Sequence, residues 1–199
     1  AFQTPPVTLN LLIINALVYL AQSMLPHGLG YELTGKLALY FWESPNFYPF
    51  QYLTHMFLHG SFSHLFFNMF TLWMFGRIIE YDLGSKRFLA FYLITGVGAA
   101  ILYSVVNWIE ISYFRNLDVI TSSTVEHIFR LINTPTVGAS GAIYGVLLAF
   151  GMLHPNSVIM LIFPPIPMRA KYFVIIFMIL EFVMGLTTSD GVAHFAHVT

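Results

Sequence analysis

Long apolar runs separated by short polar breaks dominate the chain. The first runs from about Val7 to Leu25 and opens on Pro5-Pro6, a pair tolerated at a helix start. Residues 26–63 are mixed: Gly28 and Gly30, then Leu37-Ala38-Leu39-Tyr40-Phe41-Trp42, then Pro45 and Pro49. That stretch is too broken to cross a bilayer. Its aromatic density suits short amphipathic pieces in the headgroup layer. A second apolar run covers His64 to Glu80 and a third Phe88 to about Phe114. Residues 115–136 are polar, with an amphipathic piece at Val125 to Ile132. A fourth run spans Ser140 to about His154 and stops at Pro155. The Pro-rich stretch Ile159 to Pro167 predicts a loop against the membrane face, because Pro removes helical hydrogen bonds. A fifth run covers Lys171 to about Leu186. Asp190, closing Thr187-Thr188-Ser189-Asp190, offers an N-cap for a sixth helix near Val192.

Composition turns this pattern into a class. The chain has 199 residues, 57% hydrophobic and 17% aromatic, with only 9% charged. Its mean hydropathy is +0.74. A soluble domain carries about 25% charged residues, so an all-α polytopic membrane protein is expected. The formal net charge of −1 gives nucleic acid nothing to bind. The absence of cysteine excludes disulfides and thiol catalysis. No basic segment or small-residue cleavage site precedes the first run, so a cleavable leader is not expected. Of the eight Lys and Arg residues, Arg77, Lys86, Arg87, Arg169 and Lys171 fall on one side and Lys36, Arg115 and Arg130 on the other. The split of five to three places both ends in the cytoplasm. No repeat, low-complexity tract or linker divides the chain.

The polar residues at depth carry the chemistry. In Thr136-Val137-Gly138-Ala139-Ser140-Gly141-Ala142-Ile143-Tyr144-Gly145 a lone serine stands among tiny residues at a helix start. Small residues let helices approach closely in lipid, and a helix N-terminus favours a forming anion. The decapeptide alone does not decide between a packing face with an incidental serine and a nucleophile. On the predicted topology, runs two, four and six enter from the same side. His64 and Asn68 at i and i+4, Ser140, and His194 with His197 then share one level in the outer part of the bilayer. Such a cluster must line a water-admitting cavity. Serine needs a base, and histidine is the usual one; His197 is the candidate. The Ser140 N–H, the Asn68 amide and the His64 ring are available to an oxyanion. No acid is placed as a third member, so a Ser–His dyad is expected, with Tyr144 packing against the imidazole.

These motifs resemble those of the rhomboid intramembrane serine proteases: His64-Leu65-Phe66-Phe67-Asn68, Gly138-Ala139-Ser140-Gly141 with Tyr144, and Ala196-His197. His55-Met56-Phe57-Leu58-His59 and Gly76-Arg77-Ile78-Ile79-Glu80 fit as well. The resemblance runs over the whole chain and implies one domain, residues 1–199, built as a six-helix transmembrane bundle. It implies Ser140 as nucleophile, His197 as general base and acid, and Gly138, His64 and Asn68 around the oxyanion, with Tyr144 holding the histidine ring. No cofactor or metal is implied. The expected partners are transmembrane protein substrates and membrane lipid; nothing indicates an oligomeric state. The expected setting is a bacterial inner membrane, with the site opening to the outer side. Phe50-Gln51 stands where the family often carries Trp-Arg, which leaves open how the first loop is anchored. The sixth helix is expected to continue beyond Thr199, so the chain as given is expected to be incomplete and inactive.

Other readings stand beside this one. A catalytically inactive relative that binds transmembrane segments is the alternative, and a histidine-box metalloenzyme a more distant one. His55, His59, His64 and His194 could be metal ligands, but hydrogen bonds that pin the long loop explain His55 and His59 better, because soft or carboxylate ligands are missing nearby. His194 is read as structural. Glu181, mid-run in the fifth helix, is read as an interhelix contact. Glu80 is expected to pair with Arg77, and His127 and His154 to be solvated or interfacial. Phe66, Phe67, Met69, Met74, Phe177 and Met178 are read as lipid-facing or core filler.

Overall fold

The computed structural model describes residues 3–25, 27–160 and 167–176. It is predominantly helical. The first helix, α1, spans Pro6–Met24. The loop that follows folds into α2 (His27–Leu37), the short α3 (Gln51–Thr54) and a 3₁₀ turn, His55–Phe57. The second apolar run is built from α4 (Phe62–Thr71), a wider π turn (Leu72–Gly76) and α5 (Arg77–Leu83). Beyond Gly84 come α6 (Ser85–Arg115), α7 (Ser122–Asn133) and α8 (Ser140–Leu153). By length and apolar content, α1 and α6 can cross a membrane, while α8 is apolar but shorter.

The tightest packing joins α6 to α8, and glycine makes it possible. A Cβ on Gly141 would lie 2.6 Å from Ala99 Cβ, and one on Gly145 would lie 2.8 Å from Thr95 Cβ. Backbones so close gain dispersion contacts that larger residues would prevent. Below this seam Phe75, Ile79, Phe88, Tyr92, Val146 and Phe150 form the centre of the core. Phe75 meets Phe150 edge-on, with ring centroids 4.8 Å apart.

Two expectations change at the Glu80 end. Glu80 does not pair with Arg77. Its carboxylate instead accepts hydrogen bonds from the N–H groups of Val7 (2.9 Å) and Thr8 (2.7 Å) and from the hydroxyls of Thr8 and Ser85, both at 2.7 Å. The first turn of α1 presents N–H groups without helical partners and the positive end of its dipole, and a carboxylate answers both. Arg77 lies over the Trp73 ring, 4.4 Å from its centroid. The stretch expected as a loop between Ile159 and Pro167 is flanked by strands. Val158–Met160 (β1) pairs antiparallel with Pro167–Arg169 (β2), and Pro167 takes an end position that needs no donor. Residues 170–176 then open a further helix, one residue earlier than expected. His127 and His154 sit half-buried with acidic partners, Glu110 at 2.8 Å and Asp82 at 2.6 Å.

Candidate active site

Ser140 is the first residue of α8, as its sequence setting predicts, and the segment before it hangs from the first loop. Leu39 and Thr136 form an antiparallel bridge with N···O distances of 2.9 and 2.8 Å, and the Gly138 N–H donates to the His55 carbonyl at 3.0 Å. Ala38, Leu39 and Phe41 are buried. The non-helical backbone leading to Ser140 is therefore covered by protein.

Gly138 adopts φ +131°, a region that L side chains rarely enter. A Cβ there would also fall 2.8 Å from His64 Cε1, 2.9 Å from its Nε2 and 3.6 Å from Ser140 Oγ. The glycine thus lets the imidazole edge of His64 and the serine hydroxyl converge on the same few ångströms of space. No side chain caps α8, whose N-cap residue is Ala139. The N–H groups of its first turn stay available to a ligand. Ser140 itself is half-buried.

His64 is held on α4 by the N-cap: the Ser61 hydroxyl accepts from the His64 N–H at 3.2 Å. Asn68, one turn further on, is buried, and its Nδ2 has no partner among the described residues. His59 packs edge-on against the His64 ring, centroids 5.1 Å apart, and neither of its ring nitrogens has a partner among the described residues. Burial first, and the neighbouring His64 second, push the His59 pKa down to about 3, so this ring is neutral. Hydrogen-bond pinning is seen at His55, whose Nδ1 lies 3.0 Å from the Gln51 carbonyl. The His59 backbone N–H does donate to Gln22 Oε1 at 3.1 Å. Tyr144 lies partly buried against the core one turn beyond Ser140. His194, His197, Asp190, Glu181, Phe177 and Met178 lie outside the described residues. Among the described residues no group of three or more His, Asp or Glu side chains is gathered as a metal site would need.

One organising residue escaped sequence reasoning. Gln51 is fully buried: its Oε1 accepts from Tyr48 N (3.1 Å) and Tyr40 N (3.4 Å), and its Nε2 donates to the carbonyls of Asn46 (2.9 Å) and Lys36 (3.1 Å). A single amide ties together both halves of the first loop. Glu43 and Arg115 add a surface ion pair at 2.6 Å, and the guanidinium holds the Glu43 carboxyl below its ordinary pKa. The anchoring that Phe50-Gln51 left open thus rests on Gln51. Its only sequence signal is an amide inside an aromatic-rich segment.

A family model, the rhomboid domain, matches residues 46–199. The chain belongs to the rhomboid family. It is accordingly an integral membrane protein, and His64, Asn68, Gly138, Ser140, Tyr144 and His197 all fall inside the matched rhomboid region. Among its relatives, the rhomboid protease AarA of Providencia stuartii is 34% identical over 149 residues, 71% of this chain and 48% of that protein. Rhomboid-like protein 11, chloroplastic, of Arabidopsis thaliana is 29% identical over 137 residues, 68% of this chain and 38% of that one. Rhomboid protein 1, mitochondrial, of Saccharomyces cerevisiae is 31% identical over 112 residues, 56% of this chain and 27% of the relative. This rhomboid chain thus spans less than half the length of each of these relatives.

Proposed function

We propose that this rhomboid chain is a serine endopeptidase that cleaves peptide bonds in or near the membrane spans of other proteins, with Ser140 as nucleophile and His197 as its base. The observation that carries the reading is the convergence of Ser140 Oγ and His64 across Gly138, at the uncapped start of α8. A relative named as a protease supports it.

In the acylation step His197 takes the hydroxyl proton as Ser140 Oγ bonds to the scissile carbonyl carbon. The resulting oxyanion is met by the Ser140 N–H, Asn68 Nδ2 and His64, donors fixed before the charge forms. The unpartnered Asn68 Nδ2 suits this role. His197 then protonates the leaving nitrogen, the C–N bond breaks, and the acyl group stays on Ser140. Water repeats the sequence with His197 as base. Tyr144, one turn from Ser140, positions the histidine ring. Neither a metal nor a cofactor takes part. The substrate segment unwinds locally, because a helix keeps its carbonyls in internal hydrogen bonds.

In this reading residues 1–199 form one domain, a six-helix bundle with Glu80 on the cytoplasmic side and the site opening on the other. A bacterial inner membrane is our assignment; relatives named for chloroplast and mitochondrion place the family in other membranes too, and cell fractionation tests it. The function is tested by treating the full-length protein with a fluorophosphonate probe. We expect one labelled serine, lost in Ser140→Ala. Labelling that persists in that variant removes Ser140 from the role.

A further inference from the structure

We propose that α7 is a lipid anchor: it lies in the headgroup layer at the Ser140 end of the protein, with Val125 and Phe129 dipping into the acyl chains of a phospholipid leaflet.

The helix has two apolar sectors. Thr124, His127, Ile128 and Leu131 are half-buried and turn toward the protein. His127 is joined there to Glu110 of α6 at 2.8 Å, with its ring edge-on to Phe114. Val125 and Phe129, at i and i+4, are 57% and 64% exposed, and no residue of α7 is fully buried. Ser122, Ser123, Glu126 and Arg130 occupy the remaining arc. On a helical wheel that polar arc lies opposite Ile128, with Val125 and Phe129 between the two. A helix divided in this way lies flat on a bilayer, polar arc toward water.

The level at which α6 holds α7 identifies the occupant. Lys86 and Arg87 mark where α6 enters the membrane, because charged side chains stay at the interface. From Arg87 to Glu110 the helix rises about 35 Å, against a hydrocarbon thickness of ~30 Å. Glu110, and with it His127, therefore emerges among headgroups. The exposed face of α6 supports the same level: Leu102, Val105 and Ile109 form an apolar belt, bounded by Trp108 and Tyr113. Aromatic residues of that kind gather at the interface. Val125 and Phe129 continue this belt sideways. With only Glu126, His127 and Arg130 as ionisable groups, α7 has no basic excess to seek anionic lipid, so apolar insertion holds it. The anchor bears on the segment that leads to Ser140, because Thr136, bridged to Leu39, follows α7 closely.

The chain lacks cysteine, which makes the test direct. Single cysteines at positions 125, 126, 129 and 130 of the full-length protein carry an environment-sensitive fluorophore, and each variant is reconstituted in phosphatidylcholine vesicles. Labels at 125 and 129 should emit to the blue and be quenched by phosphatidylcholine brominated on its acyl chains, with iodide ineffective. Labels at 126 and 130 should show the reverse. Equal iodide quenching at all four positions, with no effect of brominated lipid, overturns the proposal, as does shielding of 125 and 129 from both quenchers, the sign of a protein partner. A second variant, Phe129→Glu, should raise deuterium exchange over residues 122–133 in vesicles. Exchange unchanged from the parent also overturns it.

Discussion

Replacing Asn68 by alanine separates a catalytic amide from a structural one, and the structure sets different magnitudes for the two. Asn68 is buried and its Nδ2 has no partner among the described residues. A buried donor left unmade costs about 1–3 kcal/mol, so removing it recovers roughly what the lost packing costs, and the net change should stay within about 1 kcal/mol. For a chain of this size that is a Tm shift of only about 2–4 °C. Turnover should respond far more strongly. If Nδ2 meets the oxyanion, losing one preorganised donor lowers kcat by about 10²–10³-fold, or ~3–4 kcal/mol of transition-state stabilisation. KM should barely move, because the contact strengthens only as charge develops. The assay follows cleavage of a transmembrane substrate by the full-length protein in vesicles, with Tm taken on the same preparation. A variant that melts well below the parent yet keeps its kcat refutes the reasoning, for Asn68 would then be an interhelix bridge.

Two further outcomes follow from the packing and from the buried histidines. Gly145→Val sets a Cβ about 2.8 Å from the Thr95 side chain and should destabilise by the ~1–3 kcal/mol of overpacking; Thr95→Gly should restore part of that in a thermal melt. His59, with a pKa pushed from 6.5 to about 3, binds no proton in the folded state between those values while the unfolded chain does. Stability should therefore fall as pH drops below about 6.5, by up to ~1.4 kcal/mol per pH unit. His55, lowered by the same burial, adds to the trend. His59→Gln should flatten the slope of denaturation midpoint against pH, and an unchanged slope rules His59 out as its source.

What the sequence made legible was whatever depends on local pattern. The runs at Val7, Phe88 and Ser140 mark α1, α6 and α8 to within a few residues, because apolar length and Pro or Gly breaks are local signals. The placing of Ser140 at a helix start followed from Gly138 and Gly141 for the same reason. Long-range pairings were not readable. Glu80 has Arg77 one turn away, and that neighbour suggested an ion pair, yet the unpartnered N–H groups of Val7 and Thr8, more than seventy residues distant, attract the carboxylate. Gln51 gave no sign of its four hydrogen bonds, since its partners are backbone groups and carry no side-chain signature. The β1–β2 pairing was missed because Pro argues against helix without arguing for strand.

The π turn at Leu72–Gly76 acts as a phase shifter between α4 and α5. An extra residue in a helix rotates everything beyond it by about 100°. In an unbroken α-helix the direction set by His64 and Asn68 and that set by Glu80 would diverge widely around the axis. With the wider turn, α4 brings His64 toward the serine while α5 keeps its carboxylate on the N-terminus of α1. Sequence length between Asn68 and Glu80 is therefore a constrained quantity. Relatives that lose or gain one residue there must re-aim one of the two ends.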